Sequence, residues 1–215
     1  MQCAAGVPAR VSLDPESNSY SLAPTRVVPG GFSMIVSALA KSMQTKIEFH
    51  PRHEQHLARW KQLGADPELA KLPGKIETDR LGRILMSPPP FFDHVRHVAG
   101  IIELLHGHLP AGKALAETPV VTSDGVKVTD AAWISARYAA ELEGQHPAAL
   151  ERAPEICVEV LSPSNTDEEM AEKRALYFEA GAQEVWLCAL DGKIAFYTPD
   201  PGIQSAICRE FPSQI

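Results

Sequence analysis

The chain has 215 residues, of which 45% are hydrophobic and 22% charged, a balance typical of one soluble globular domain with a short extra arm. Its net charge of −7 is unlike the basic balance of a general nucleic-acid coat protein, so binding to nucleic acid would need a local basic patch. No apolar run approaches the roughly 20 residues that span a bilayer, and we expect no membrane partner.

The cysteines and the start of the chain indicate a cytoplasmic protein. The four cysteines form no C-x-x-C pair, which disfavours a zinc knuckle and favours buried free thiols in a reducing compartment: Cys3, Cys157, Cys188 and Cys208. The first 30 residues lack the basic and apolar regions of a secretion signal. They are rich in Pro, Ser, Gly and Val without periodicity, so residues 1–45 are predicted to be a poorly ordered or loosely docked arm, with a short helix at 32–43. Residues 46–215 are predicted to be a single domain.

The sequence of the first part of this domain predicts a helix, a short helical turn, a β-hairpin and a second helix. Residues 51–63 suggest a surface helix, and residues 65–72 another short helical turn. The runs 75–78 and 83–86 flank a turn whose Gly82 can take a positive φ, the pattern of a β-hairpin. After three prolines, a helix over about 91–109 has its apolar residues at helical spacing: Val95, Val98, Ile101, Ile102 and Leu105.

The sequence of the second part of the domain predicts five strands, one longer helix and one shorter helical turn. A capping box, Thr166 with Glu169, begins the longer helix, and Gly181 ends it. The predicted strands cover 114–121, 126–135, 155–161, 184–190 and 193–198, and a shorter helical turn covers 138–144. Because strands and helices interleave, the predicted fold class is α/β (or α+β), a mixed central sheet flanked by helices.

Three charged residues fall on predicted apolar faces. Asp130 interrupts the alternating apolar set of its strand, and Glu159 is enclosed by apolar neighbours in another. Lys173 continues a helical stripe with Met170 and Tyr177. Buried carboxylates need a partner, and two of them can hold Mg²⁺ or Mn²⁺, with the lysine stabilising developing negative charge. The same pattern also fits a structural ion pair of Lys173 and Glu159 beside a hydrogen-bonded Asp130, and spacing alone does not decide between these interpretations.

Several histidines and one tyrosine are further candidates for the site. His50, His53 and His56 have polar and basic neighbours, which favours a solvated helix surface over a metal site. Tyr177 can pack or hydrogen-bond in the site, and packing is the favoured interpretation. Since the chain has no glycine-rich phosphate loop and no G-x-S-x-G motif, kinases, dinucleotide enzymes and ordinary serine hydrolases are disfavoured.

Several sequence blocks resemble a known family. Glu159-Val-Leu-Ser-Pro-Ser, Lys173-x-x-x-Tyr-x-x-x-Gly and Glu184-Val-Trp-Leu are combined as in the "putative restriction endonuclease" family of the PD-(D/E)XK nuclease superfamily. Upstream, residues 76–82 and Met86-Ser-Pro-Pro match that family's opening hairpin more weakly. The resemblance covers about residues 75–199.

The resemblance implies a metal site with named ligands. Asp130 and Glu159 take the places of the two superfamily acids, and Glu77 that of an additional acid from the hairpin. Lys173 supplies the lysine from the helix, and His94 takes a supporting place near the cleft. Two departures concern local geometry: Thr129 stands where the superfamily has proline, and Cys188-Ala-Leu replaces an acid before Asp191.

Two functions from different classes follow as expectations. The first is a Mg²⁺- or Mn²⁺-dependent endonuclease acting on nucleic acid, most simply DNA, and working as a homodimer. Its catalytic residues are Glu77, Asp130, Glu159 and Lys173, supported by His94 and Tyr177. The alternative is a non-catalytic binding or assembly module that retained the fold. The enzyme hypothesis fails if Asp130 and Glu159 point apart.

Overall fold

A computed structural model describes residues 52–71, 74–198 and 204–215, apart from the side chain of Ala70. All of these residues belong to the unit Ile47–Ile215. The arm predicted at 1–45, its helix at 32–43 and His50 lie outside the described residues.

The elements follow the predicted order closely. The helices are α1 (His53–Gly64), α2 (Phe92–His108), α3 (Ala136–Glu141) and α4 (Asp167–Glu179), with a 3-10 turn at Leu69–Lys71. The strands are β1 (Ile76–Thr78), β2 (Ile84–Met86), β3 (Lys113–Thr122), β4 (Gly125–Ile134), β5 (Ile156–Val160), β6 (Glu184–Cys188) and β7 (Ile194–Tyr197). The capping box of Thr166 and Glu169 is present at the start of α4, as predicted.

The main sheet has five strands in the order β3-β4-β5-β6-β7. All neighbouring pairs are antiparallel except β5 and β6, which are parallel. A parallel pair needs a crossover connection, and α4 supplies it. The sheet is therefore mixed and carries helices, which confirms the predicted fold class.

Helices cover both faces of this sheet. On one face, Ile101 and Leu105 of α2 belong to the larger apolar cluster, together with Val158 and Trp186. On the other, Tyr177 and other residues of α4 pack against Val185 and neighbouring strand residues. Alternate residues of a strand point to opposite faces, so central strands covered on both sides lose the polar alternation of a surface strand. All ten residues of β4 are buried accordingly.

The hairpin β1–β2 lies against the first half of β4, the half that β5 does not pair. The hydroxyl of Thr78 accepts a hydrogen bond from Val126 N at 2.9 Å, and the carboxylate of Glu77 accepts one from Val128 N, two residues further along β4. Gly82 takes a φ of 73° in the hairpin turn, as predicted. The hairpin thus brings its polar side chains to the middle of the sheet.

Two predictions about helix faces were wrong. His53 and His56 are 8% and 4% exposed rather than solvated, since their spacing puts them on the inward face of α1 with Trp60 and Leu63. Their polar neighbours along the sequence belong to the other face of that helix. Val95 is 49% exposed because α2 begins only three residues earlier, before the helix reaches the apolar cluster.

Three cysteines are buried free thiols, as expected: Cys157, Cys188 and Cys208. Among the described residues, no helix is long and apolar enough to cross a membrane.

Candidate active site

The charged side chains singled out in the sequence meet on one face of the sheet. In the antiparallel pair β4–β5, Ala131 lies opposite Val158. Continuing that register by one residue sets Asp130 opposite Glu159, and opposed residues project to the same face. Lys173 of α4 reaches the same place, with its Nζ 3.4 Å from both carboxylate oxygens of Glu159. The two acids therefore converge, and the condition that would have ended the enzyme hypothesis is not met.

Both carboxylate oxygens of Asp130 have donors. Oδ1 accepts from Lys75 Nζ at 2.7 Å, and Oδ2 accepts from the backbone N–H of Val160 at 2.8 Å and lies 3.3 Å from Nε2 of His94. Burial alone would raise the pKa of Asp130, but the hydrogen bond with His94 and the charge of Lys75 outweigh burial and lower that pKa well below its usual range. Asp130 is therefore held as the anion, the form that binds a cation.

Glu159 lies between one hydroxyl and two ammonium groups. The Tyr177 hydroxyl donates to its Oε1 at 2.5 Å, while Lys173 and Lys75 approach at 3.4 and 3.7 Å. Burial raises the pKa of Glu159, and the charges of the two lysines reduce this rise without cancelling it. Asp130 and Glu159 are thus neighbours whose pKa values are moved in opposite directions.

Glu77 connects the hairpin to the site. Its Oε1 accepts from Val128 N at 2.8 Å and from Lys173 Nζ at 2.9 Å. Lys173 consequently bridges two acids, one from β1 and one from β5. Burial would lower the pKa of Lys173, but the charges of Glu159 and Glu77 raise it. Its ammonium therefore stays protonated at neutral pH.

Lys75 belongs to the same cluster and was missed in the sequence. It precedes β1, and its Nζ donates to Asp130 Oδ1 at 2.7 Å and to the carbonyl of Val128 at 2.9 Å. A signal was available: Lys75 and Glu77 are two residues apart in the predicted strand 75–78 and so share a face. The family resemblance indicates Glu77 alone and does not extend to Lys75.

The cluster is accessible from its cationic side. The side chains of Asp130 and Glu159 are each 5% exposed, whereas those of Lys75 and Lys173 are 19% and 17% exposed. The His94 side chain is also 19% exposed. A molecule approaching from solvent therefore meets the lysines and His94 first, and the carboxylates lie behind them.

The donor set suits a hard divalent cation. Carboxylate and carbonyl oxygens are the ligands that Mg²⁺ and Mn²⁺ prefer. The carboxylates of Glu77, Asp130 and Glu159 and the carbonyl of Val128 contact the ammonium groups of Lys75 and Lys173 in this cluster. Lys75 and Lys173 hold these acids in ion pairs. Within residues 52–71, 74–198 and 204–215, no three His, Cys, Asp or Glu side chains are already arranged to hold a metal ion. The residue types fit a divalent metal ion, but the lysine ammonium groups pair with the carboxylate oxygens that would bind it.

The predicted site residues all come together. Glu77, Asp130, Glu159 and Lys173 form one network, with His94 at its edge. For Tyr177 the favoured interpretation was incomplete, since the residue is buried in the core and also donates a hydrogen bond to Glu159. The reason is geometric: Tyr177 follows Lys173 by one helical turn, so both face the same carboxylate.

Comparison with known proteins agrees with this architecture. A putative nuclease belonging to DUF820 from Anabaena variabilis ATCC 29413 has a similar structure, with a TM-score of 0.52, 20% sequence identity, and coverage of 63% of this chain and 79% of that one. At this identity the similarity concerns the fold, which is that of restriction-endonuclease-like nucleases.

The family follows from the sequence itself. Residues 52–211 match the profile of the Uma2 family, described as "Putative restriction endonuclease", so this chain belongs to that family. No curated protein matches the chain. Family membership and fold together support a nuclease-type function and an interaction with nucleic acid.

Proposed function

We propose that this protein is a metal-dependent endonuclease that hydrolyses phosphodiester bonds, with DNA as its substrate. The observation that carries the proposal is the convergence of Asp130, Glu159 and Glu77 with Lys173 on one face of the sheet. Three acids and a lysine from adjoining elements are more than sheet stability requires, because buried ion pairs add little to it.

The carboxylates would hold Mg²⁺ or Mn²⁺. Asp130 and Glu159 would be the direct ligands, and Glu77 would complete or support the shell. Such an ion supplies a water of lowered pKa and neutralises charge on the phosphate. Tyr177 orients Glu159 through its hydroxyl, and His94 orients Asp130.

Lys173 would act electrostatically. Its raised pKa keeps the ammonium charged at neutral pH, so it is not suited to remove a proton from water. Held by Glu77 and Glu159, the ammonium can instead orient the attacking water and stabilise negative charge that develops on the phosphoryl oxygens.

The net charge of −7 makes the choice of substrate depend on local charge. Lys75 and Lys173 lie on the accessible side of the cluster, where phosphates would approach. The homodimer and the cytoplasmic location expected from the sequence stay predictions.

One observation favours the second candidate, a binding or assembly module without catalysis. The lysines already pair with the three acids, so the network is largely neutralised without any added ion. Such a network would serve as a structural brace between the hairpin, the sheet and α4.

Titration of Mn²⁺ by calorimetry, with a DNA-cleavage assay on the same samples, separates the two functions. We expect the wild type to bind Mn²⁺ and cleave, and Asp130→Asn to lose binding and about 10³-fold or more in cleavage rate. Asp191→Asn removes a surface acid that pairs with Lys193 and serves as the control. Absence of Mn²⁺ binding in the wild type would contradict the enzyme and favour the module.

A further inference from the structure

The ammonium of Lys75 is surrounded by the oxygens that suit a divalent cation. It lies 2.7 Å from Asp130 Oδ1, 2.9 Å from the Val128 carbonyl oxygen and 3.7 Å from Glu159 Oε2. Two of these groups are charged and one is neutral, and they come from β4 and β5. Lys75 itself comes from the hairpin, which is a separate two-stranded unit.

An ammonium and a divalent cation cannot share this position. Mg²⁺ contacts its oxygen ligands at about 2.0–2.1 Å, closer than the ammonium lies to any of these oxygens. Two positive centres between the same pair of carboxylates would also repel each other strongly in a partly buried environment. An ion that binds Asp130 and Glu159 together must therefore move the ammonium out.

We propose that Lys75 is a built-in counter-cation that occupies the metal position and must be displaced before a divalent cation binds. This inference rests on the proposed metal-dependent function. It makes Lys75 a residue that sets the metal affinity of the site, and it explains why the acids are arranged as ion pairs rather than as a ready ligand group.

Lys173 does not have this role. Its closest acid is Glu77, at 2.9 Å, and it lies 3.4 Å from Glu159 on the side of α4. An ion between Asp130 and Glu159 can bind while Lys173 keeps its contact with Glu77. The two lysines therefore have different roles, since Lys75 competes with the ion and Lys173 stays beside it.

The neighbouring acids hold the ammonium of Lys75 by charge as well as by hydrogen bonds. Burial would lower the pKa of Lys75, but the charges of Glu159, Asp130 and Glu77 outweigh burial and raise that pKa above its ordinary value. Displacement therefore requires the side chain to swing aside. Its 19% exposure and its place just before the three-residue strand β1 give it a route to solvent.

The test is the affinity for Mn²⁺, measured by calorimetry and by the electron paramagnetic resonance signal of the bound ion in the full chain. Lys75→Met removes the charge and keeps the length, and we expect it to bind Mn²⁺ roughly tenfold to a hundredfold more tightly than the wild type. Lys75→Gln, which can still donate to Asp130, guards against loss of folding and is expected to gain affinity as well. Lys75→Arg keeps the charge, and we expect no gain.

Lys127→Met is the matched control. Lys127 is also buried, at 4% exposure, and donates to Asp124 and to the carbonyl of Thr78 without contacting the acidic cluster. Its substitution is expected to leave the Mn²⁺ affinity unchanged, so an increase at position 75 alone is attributable to the ammonium in the site.

The outcomes distinguish this inference from the function on which it rests. If the wild type binds Mn²⁺ and the folded neutral variants bind it equally or more weakly, Lys75 is not a competitor and the inference is overturned. If no variant binds Mn²⁺, the proposed metal site is wrong, which is a separate result. A gain in Lys75→Met and Lys75→Gln, absent from Lys75→Arg and Lys127→Met, supports the proposal.

Discussion

Two neighbouring strands each bury a glutamate, and the two glutamates are satisfied in different ways. Glu159 on β5 is 4% exposed and lies against one hydroxyl and two lysine ammonium groups. Glu184 on β6 is 1% exposed, and its donors within the described part of the chain are neutral N–H groups. The two side chains are almost equally buried, so the two positions differ in the hydrogen-bond and ion-pair partners of the carboxylate.

The donors of Glu184 are fixed by the fold. The indole Nε1 of Trp186 donates to one oxygen at 2.7 Å, and the backbone N–H groups of Ala206 and Ile207 donate to the other at 2.7 and 2.8 Å. These groups cannot leave without unfolding the strand end and the C-terminal segment. The lysines around Glu159 sit on flexible side chains, and a competing cation can replace Lys75. A buried acid is thus a stronger sign of a ligand site when its partners can be displaced.

The sharpest test of this contrast substitutes both glutamates in the same way. Glu159→Gln is expected to lose Mn²⁺ affinity by about a hundredfold or more, because a direct ligand loses its charge. Glu184→Gln is expected to keep wild-type affinity and to lose about 2 kcal/mol of unfolding free energy, since the amide NH₂ must face at least one of the three N–H donors.

Calorimetric titration with Mn²⁺ and urea unfolding of both variants measure these effects. If Glu184→Gln weakened Mn²⁺ binding as much as Glu159→Gln does, Glu159 would not differ from Glu184 in acting as a metal ligand. The comparison would then have to be abandoned, together with the assignment of the site to β4 and β5.

A second test uses the opposite pKa shifts of Asp130 and Glu159. The folded-state pKa of Asp130 is lowered, so its contribution to stability is present above the unfolded value of about 3.9 and is lost as the pH falls. The pKa of Glu159 is raised, chiefly by burial, so its contribution is present at low pH and is lost as the pH rises above about 4.3. The two neighbours should therefore act against each other during acidification.

Unfolding free energies measured between pH 6 and pH 3 check the signs. Relative to the wild type, Asp130→Asn should lose less stability on acidification, by about 1 kcal/mol, because the pH falls only about one unit below the unfolded-state pKa of about 3.9. Glu159→Gln should lose more, because the favourable protonation of Glu159 is gone. Changes of the same sign in both variants would mean that the cluster titrates as one group.

Sequence patterns predicted the fold and most of the site for clear physical reasons. Strand alternation and helical spacing depend only on local geometry, and they located Asp130, Glu159 and Lys173 on faces that are buried. The strand pair β4–β5 then needed only its antiparallel register to bring the two acids together.

The remaining residues depend on contacts that local patterns do not contain. Lys75 was missed because its partners are 53 and 55 positions away and belong to a different sheet. His53 and His56 were misplaced because residue polarity was given more weight than helical spacing. The structural character of Glu184 depends on the backbone of Ala206 and Ile207, whose position follows only from the folded C-terminal segment.

The smallest expected effect concerns the single neutral donor of Glu159. Tyr177→Phe keeps the ring in the core and removes the hydroxyl that donates to Oε1 at 2.5 Å. Because Lys173 and Lys75 still contact the carboxylate, we expect a loss of only about 1 kcal/mol in unfolding free energy and roughly a tenfold loss in Mn²⁺ affinity from poorer orientation. Tyr138→Phe is the matched control, since the hydroxyl of this buried tyrosine donates to the Arg152 carbonyl outside the site.

The two tyrosine variants should lose similar stability and differ in Mn²⁺ binding, measured by urea unfolding and calorimetry on the same preparations. An unchanged affinity in Tyr177→Phe would mean that this tyrosine only packs, as its place on an apolar helix stripe first suggested. Glu159 would then be oriented by its lysines alone. In that case displacing Lys75 would leave Lys173 alone to orient the carboxylate, and the gain in Mn²⁺ affinity expected for Lys75→Met would shrink. The tyrosine variant therefore tests whether Glu159, like Glu184, has a neutral donor that holds its carboxylate in place when Lys75 is displaced.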